Sequence, residues 1–158
     1  MRKNTLIICT FLVMLLFVYA ASSKLFNMAG FRHDMLSQPF PRQISQLFVW
    51  AVPAIEILLV ILLFFFRTRI YGLLLAVCLL FAFSLYTFLV LKHAFGKLPC
   101  SCGGIISSLS WEQHLYLNLF FLLLACMGFV LQLLEILDTK FHAHETGLTE
   151  NLKKSRYY

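Results

Sequence analysis

Charged side chains are scarce in this sequence, and acidic ones scarcer still. Asp, Glu, Lys and Arg make up 13% of its 158 residues, against about 25% in an ordinary soluble domain. So few charges cannot cover a water-facing surface in the usual way, which excludes most soluble enzyme classes. Seven residues are acidic and 13 are basic, for a formal charge of +6. The basic residues stand singly or in small groups between hydrophobic runs and form no stripe of the kind a nucleic-acid face needs. No nucleic-acid partner is expected. Cysteine is sparse too: the five present are too few and too scattered for a secreted disulfide framework. There is no Walker loop, dinucleotide fingerprint, HExxH motif or serine-nucleophile motif.

What the chain has instead is hydrophobic length. Apolar residues account for 61% of it, and the mean hydropathy is +0.85, so lipid is the expected solvent. The apolar runs predict membrane spans at about residues 6–26, 47–66, 70–91 and 112–136. Each has about 20 residues, enough to cross a hydrocarbon core roughly 30 Å thick at 1.5 Å per residue. Backbone groups in lipid must bond within their own segment, so the spans must be helices. The expected fold is all-α, a polytopic membrane four-helix bundle over residues 1–137, with a polar, mobile cytoplasmic tail over 138–158. An alternative for the first run is a secretory signal peptide, suggested by Met1-Arg2-Lys3 before it and Val18-Tyr19-Ala20 near its end. Between the first two runs, Phe26 to Ser45 reads as an amphiphilic interfacial loop. Arg67-Thr68-Arg69 leaves room only for a tight turn between the second and third runs. The stretch from His93 is rich in helix breakers up to Ser110, which begins a capping-box pattern with Gln113.

Lys and Arg counts orient the bundle. With four spans, the amino terminus, the second–third turn and the tail share one side, holding eight of these residues, three of them far down the tail. The other side holds Lys24, Arg32, Arg42, Lys92 and Lys97. The bias, though modest, places both termini in the cytoplasm. The loop before the fourth span then lies outside, which in a bacterium is the oxidising periplasm, and the protein in the cytoplasmic (inner) membrane.

Three features carry chemistry. Cys9, Cys78 and Cys126 lie within apolar runs as small hydrophobes, but Cys100 and Cys102 sit in the breaker-rich loop. Two thiols one residue apart close a disulfide only in a strained ring, which is easily reduced and therefore a better oxidant. Unpaired thiols, a structural disulfide, or half of a metal site completed by His93 and His114 are the alternatives, although that spacing matches no standard zinc pattern. Glu56 lies inside the second span, where an ionisable group is costly and needs a partner. Lys24, His114 and Asn118 are the candidates, and a protonated Glu56 that serves packing alone is the competing reading. Finally, His114, Asn118, Ala125 and Gln132 fall within about 40° of one another on a helix, a polar and small stripe that faces other helices. His114, one turn after the cysteine loop, is also placed to assist thiolate formation or proton transfer.

Taken in order, these motifs resemble the MauE branch of the MauE/DoxX-like membrane proteins, named for methylamine utilisation. Ala21-Ser22-Ser23-Lys24-Leu25 is similar to that superfamily's small-x-x-Lys-Leu signature. Pro53-Ala54-Ile55-Glu56 is similar to its Pro-x-x-Glu, Arg67-Thr68-Arg69 to its short turn, and Cys100-Ser101-Cys102-Gly103-Gly104 to the cysteine pair of the branch. Gly103 stands where members often carry an aromatic residue. The resemblance extends to about residue 137. It implies a four-helix membrane protein associated with thiol redox chemistry, supporting disulfide formation alongside a periplasmic thioredoxin-like partner. A quinone held near Lys24 and Glu56 is the one cofactor to be considered. Nothing in the residues themselves points to methylamine. The non-enzymatic alternative is a scaffold or assembly factor with structural cysteines.

Overall fold

The computed structural model describes residues 2–38, 40–92 and 110–155, with side chains described as far as residue 141. Five helices account for these residues: α1 (Arg2–Phe26), α2 (Met28–Leu36), α3 (Arg42–Phe64), α4 (Arg69–Leu91) and α5 (Trp111–Ser155). Of these, α1, α3, α4 and the Trp111–Phe141 part of α5 are long and apolar enough to cross a membrane. They pack as a ring in the order α1, α3, α4, α5, and α2 lies against α3 with a smaller contact on α1. The architecture is an all-α polytopic bundle.

The core follows from which residues point inward. Leu6, Val13 and Phe17 of α1 meet Leu59 and Leu63 of α3, Leu73, Ala76 and Leu80 of α4, and Ala125 of α5. Outward faces stay apolar: Phe11, Leu15, Phe81, Phe120 and Leu123 are all exposed. A bundle apolar on both faces belongs in lipid. Three buried hydroxyls within the spans are satisfied locally: Thr10, Ser84 and Thr87 donate to the carbonyls of Leu6, Leu80 and Phe83 at 2.7–2.8 Å. Each bonds to the carbonyl four residues back and so leaves no unmet donor in hydrocarbon. At the end carrying the amino terminus, Arg2 bonds Asp138 of α5, and Lys3 lies 3.9 Å from Glu135. These exposed pairs add little stability, but they fix which ends of α1 and α5 come together.

The tight turn expected at Arg67-Thr68-Arg69 is built around Thr68. Its hydroxyl donates to the Leu62 carbonyl at 2.9 Å, while its own carbonyl accepts from the amides of Tyr71 and Gly72. One residue thus closes α3 and opens α4. The helices are close enough here that a Cβ on Gly72 would lie 3.0 Å from the Leu63 amide nitrogen and 3.1 Å from the Leu62 carbonyl carbon. Backbone cannot yield as a side chain can. Gly72→Ala is therefore expected to lower stability by about 1–2 kcal/mol, the overpacking cost exceeding the helix-propensity gain of about 1 kcal/mol. Denaturant titration in detergent micelles checks this, and an unchanged or raised midpoint would refute it.

Helix α1 begins at Arg2, four residues before the expected span, and three further elements differ from the sequence expectation. The interfacial loop contains helix α2, which starts where the Asn27 side chain accepts from the Gly30 amide at 3.2 Å. Helix α3 begins at Arg42, five residues earlier than expected, because Pro41 presets the entry at φ −51°. Helix α5 does not stop near residue 137 but runs on through the polar tail to Ser155.

Candidate functional site

Side chains on a helix lean toward its amino terminus. On α1 that sends the Lys24 stem back into the bundle, toward Ala20, and on the antiparallel α3 it sends Glu56 toward the helix start. The two converge. Lys24 Nζ donates to Glu56 Oε1 at 2.8 Å and to the Ala20 carbonyl at 3.2 Å, joining residues 32 apart in sequence. Glu56 is 1% exposed, and the Lys24 side chain 13%. The α2 residue Phe31, also buried, places its ring 5.8 Å from the ammonium, a cation–π contact whose strength grows with desolvation. The lysine is thus held by a carboxylate, a carbonyl and an aromatic face, each from a different part of the chain.

The rest of the α3 face is also polar in places. Ser45, Val49, Pro53 and Glu56 are buried along it. Pro53 has no amide hydrogen to give the Val49 carbonyl, and neither Ser45 Oγ nor Glu56 Oε2 has a hydrogen-bond partner among the described residues. One carboxylate oxygen is committed to Lys24, and the other keeps its accepting capacity.

On α5 the expected stripe is largely inside. His114, Ala125 and Gln132 are buried, while Asn118 is half-buried. Both capping-box bonds form: Gln113 Oε1 accepts from the Ser110 amide at 2.9 Å, and Ser110 Oγ accepts from the Gln113 amide at 3.3 Å. His114 follows in the first turn. Of the sequence candidates, Lys24 and Glu56 come together, and His114 and Asn118 are not in ion-pair contact with them. Cys100, Cys102 and His93 lie outside the described residues.

Sequence reasoning missed three contributors. Phe31 covers the ion pair from α2, and its signal was the Asn27-x-x-Gly30 cap, where a Cβ on Gly30 would fall 2.6 Å from Asn27 Nδ2. Gln38 accepts from the Tyr86 hydroxyl, tying the α2–α3 link to α4, with Phe40 tilted against the Tyr86 ring at 5.9 Å. No local pattern announces a pair 48 residues apart. Ser45 shares its face with Glu56, a relation visible in the spacing 45, 49, 53, 56 once the helix is known to begin at Arg42.

Neither the curated proteins nor the solved structures include a match to this chain. A family model, described as methylamine utilisation protein MauE, matches residues 2–131, a stretch that contains Lys24, Glu56, both loop cysteines and His114. The four apolar helices and this match make the protein a multi-pass membrane protein, and the chain belongs to the family of the methylamine utilisation protein MauE.

Proposed function

We propose that this protein is a membrane component of thiol–disulfide exchange, with Cys100 and Cys102 as the redox pair. The observation that carries the reading is the position of Cys100-Ser101-Cys102 within the family-matched stretch, in the segment that joins two membrane-spanning helices. Its two anchors, Lys92 after α4 and Ser110 before α5, belong to the bundle end that also holds α2 and Tyr86. The Lys and Arg bias supports an orientation with that end in the periplasm of a bacterial inner membrane and both termini in the cytoplasm.

In the oxidising direction, a thiolate of a periplasmic thioredoxin-like protein attacks one sulfur of the Cys100–Cys102 disulfide and forms a mixed disulfide. The partner's second thiol resolves it. The partner leaves as a disulfide, and two electrons and two protons stay on Cys100 and Cys102. In this reading His114, on the first turn of α5, takes up or returns a proton. The cysteine pair is reset by passing two electrons and two protons to an oxidant, either a second disulfide partner or a membrane quinone, which becomes a quinol.

The test is differential thiol alkylation with mass spectrometry on intact membranes. The pair should be oxidised in air, reduced by a mild dithiol and reoxidised when the dithiol is removed. Either Cys100→Ser or Cys102→Ser should abolish turnover, and the residual single thiol should trap a mixed disulfide. If both thiols stay reduced in air, or the double serine variant keeps its activity, the protein is an assembly scaffold instead.

A further inference from the structure

Helix α2 has two working faces. Phe31 points inward over Lys24, whereas the next residue, Arg32, is exposed on the side facing α3. Between the helices lies a groove of about 420 Å³, lined by Arg32, Gln46, Leu47, Val49 and Trp50. Its polar lining is rich in donors and holds no acid. Arg32 offers a guanidinium, Gln46 an amide and Trp50 an indole N–H, and none of the three has a side-chain hydrogen bond or ion-pair partner among the described residues. Its apolar lining leads outward: Val49 is buried at the base, while Leu47 and Trp50 stand 63% and 69% exposed on the surface of a membrane-spanning helix.

We propose that this groove binds an anionic phospholipid, the phosphate on Arg32 and Gln46 and an acyl chain along Leu47 and Trp50. Charge complementarity selects the occupant. A guanidinium with no counter-charge is matched by a phosphodiester, and the exposed apolar wall gives a soluble anion no advantage. A zwitterionic headgroup brings an ammonium for which the lining has no carboxylate. A neutral quinone would leave the Arg32 charge uncompensated. The bound phosphate also fastens α2, whose neighbouring face, about 100° around the helix, covers Lys24 with Phe31. The lipid therefore steadies the lid over the buried ion pair, whatever the cysteines do.

The test is native mass spectrometry of the full chain in neutral detergent, with phosphatidylglycerol or phosphatidylcholine added. One phosphatidylglycerol should be retained in preference to phosphatidylcholine. Arg32→Gln should weaken its retention about tenfold, the range of a charge-assisted contact, while Arg67→Gln, an exposed arginine at the opposite end of the bundle, should not. Gln46→Ala, which keeps the charge, should weaken it less. Equal retention of both lipids, full retention by Arg32→Gln, or equal loss in Arg67→Gln would overturn the proposal. So would displacement of the lipid by millimolar inorganic phosphate, which would make the groove a soluble-anion site.

Discussion

Replacing Lys24 by Met should destabilise the bundle by about 3–5 kcal/mol, the usual cost of leaving one member of a buried ion pair without the other. Glu56→Leu should cost a similar amount. The double variant Lys24→Met with Glu56→Leu should recover most of that loss, because a buried pair exchanged for apolar side chains of similar volume is often close to neutral. The geometry favours the upper part of this range. Glu56 is 1% exposed and Lys24 Nζ is its one hydrogen-bond partner among the described residues, at 2.8 Å. With Lys24 gone, a polar acid stays inside a hydrocarbon-bound bundle with no donor facing it. With Glu56 gone, the ammonium keeps the Ala20 carbonyl and the Phe31 ring, so Lys24→Met should be the worse single change. Unfolding midpoints of the four proteins in mixed micelles form a double-mutant cycle. A coupling below about 0.5 kcal/mol, the scatter of independent sites, would mean that the two groups do not meet in the membrane.

How far the sequence reaches is clear from this pair. Glu56 stands out because an acid within an apolar run is costly, and Lys24, at the end of the first run, is one of its candidate partners beside His114 and Asn118. Which candidate wins depends on side-chain direction on antiparallel helices, and that needs the topology. The spans were legible because twenty apolar residues in a row have few alternatives. Helix ends were less so, since hydropathy marks where lipid stops and not where hydrogen bonding stops. The stretch after Asp138 is polar but contains no proline, and nothing in it obliges α5 to end. Helix α2 was hidden for the opposite reason. Its glycine and charges read as loop, and only the Asn27 cap and the burial of Phe31 against Lys24 make nine such residues helical. The groove at Arg32 could not be foreseen, because it exists only once α2 lies on α3. The sequence shows the cysteine pair only as two thiols one residue apart, and its geometry lies outside the described residues.

Phenylalanine offers the second large effect, and the clearest contrast. The chain has 17 of them, and because the spans are apolar all round, periodicity does not say which face the bundle and which the lipid. Phe17 is 2% exposed in the core beside Leu6, Val13 and Ala125, whereas Phe81 on α4 is 59% exposed. Lipid tails are as apolar as the core, so the difference between the two sites is not water but packing. Removing Phe17 leaves a cavity whose lining loses its contacts, and Phe17→Ala should cost about 3–5 kcal/mol. At Phe81, lipid fills the space, and Phe81→Ala should stay within about 0.5 kcal/mol, as for a surface change away from special features. The same micelle titration reads both. The comparison also decides between the two readings of the first run. If α1 were cleaved as a signal peptide, Phe17→Ala would leave the mature bundle as stable as Phe81→Ala does. A large loss at Phe17 alone means that α1 stays, that its core face is packed against α3 and α5, and that Lys24 at its far end remains in place to meet Glu56.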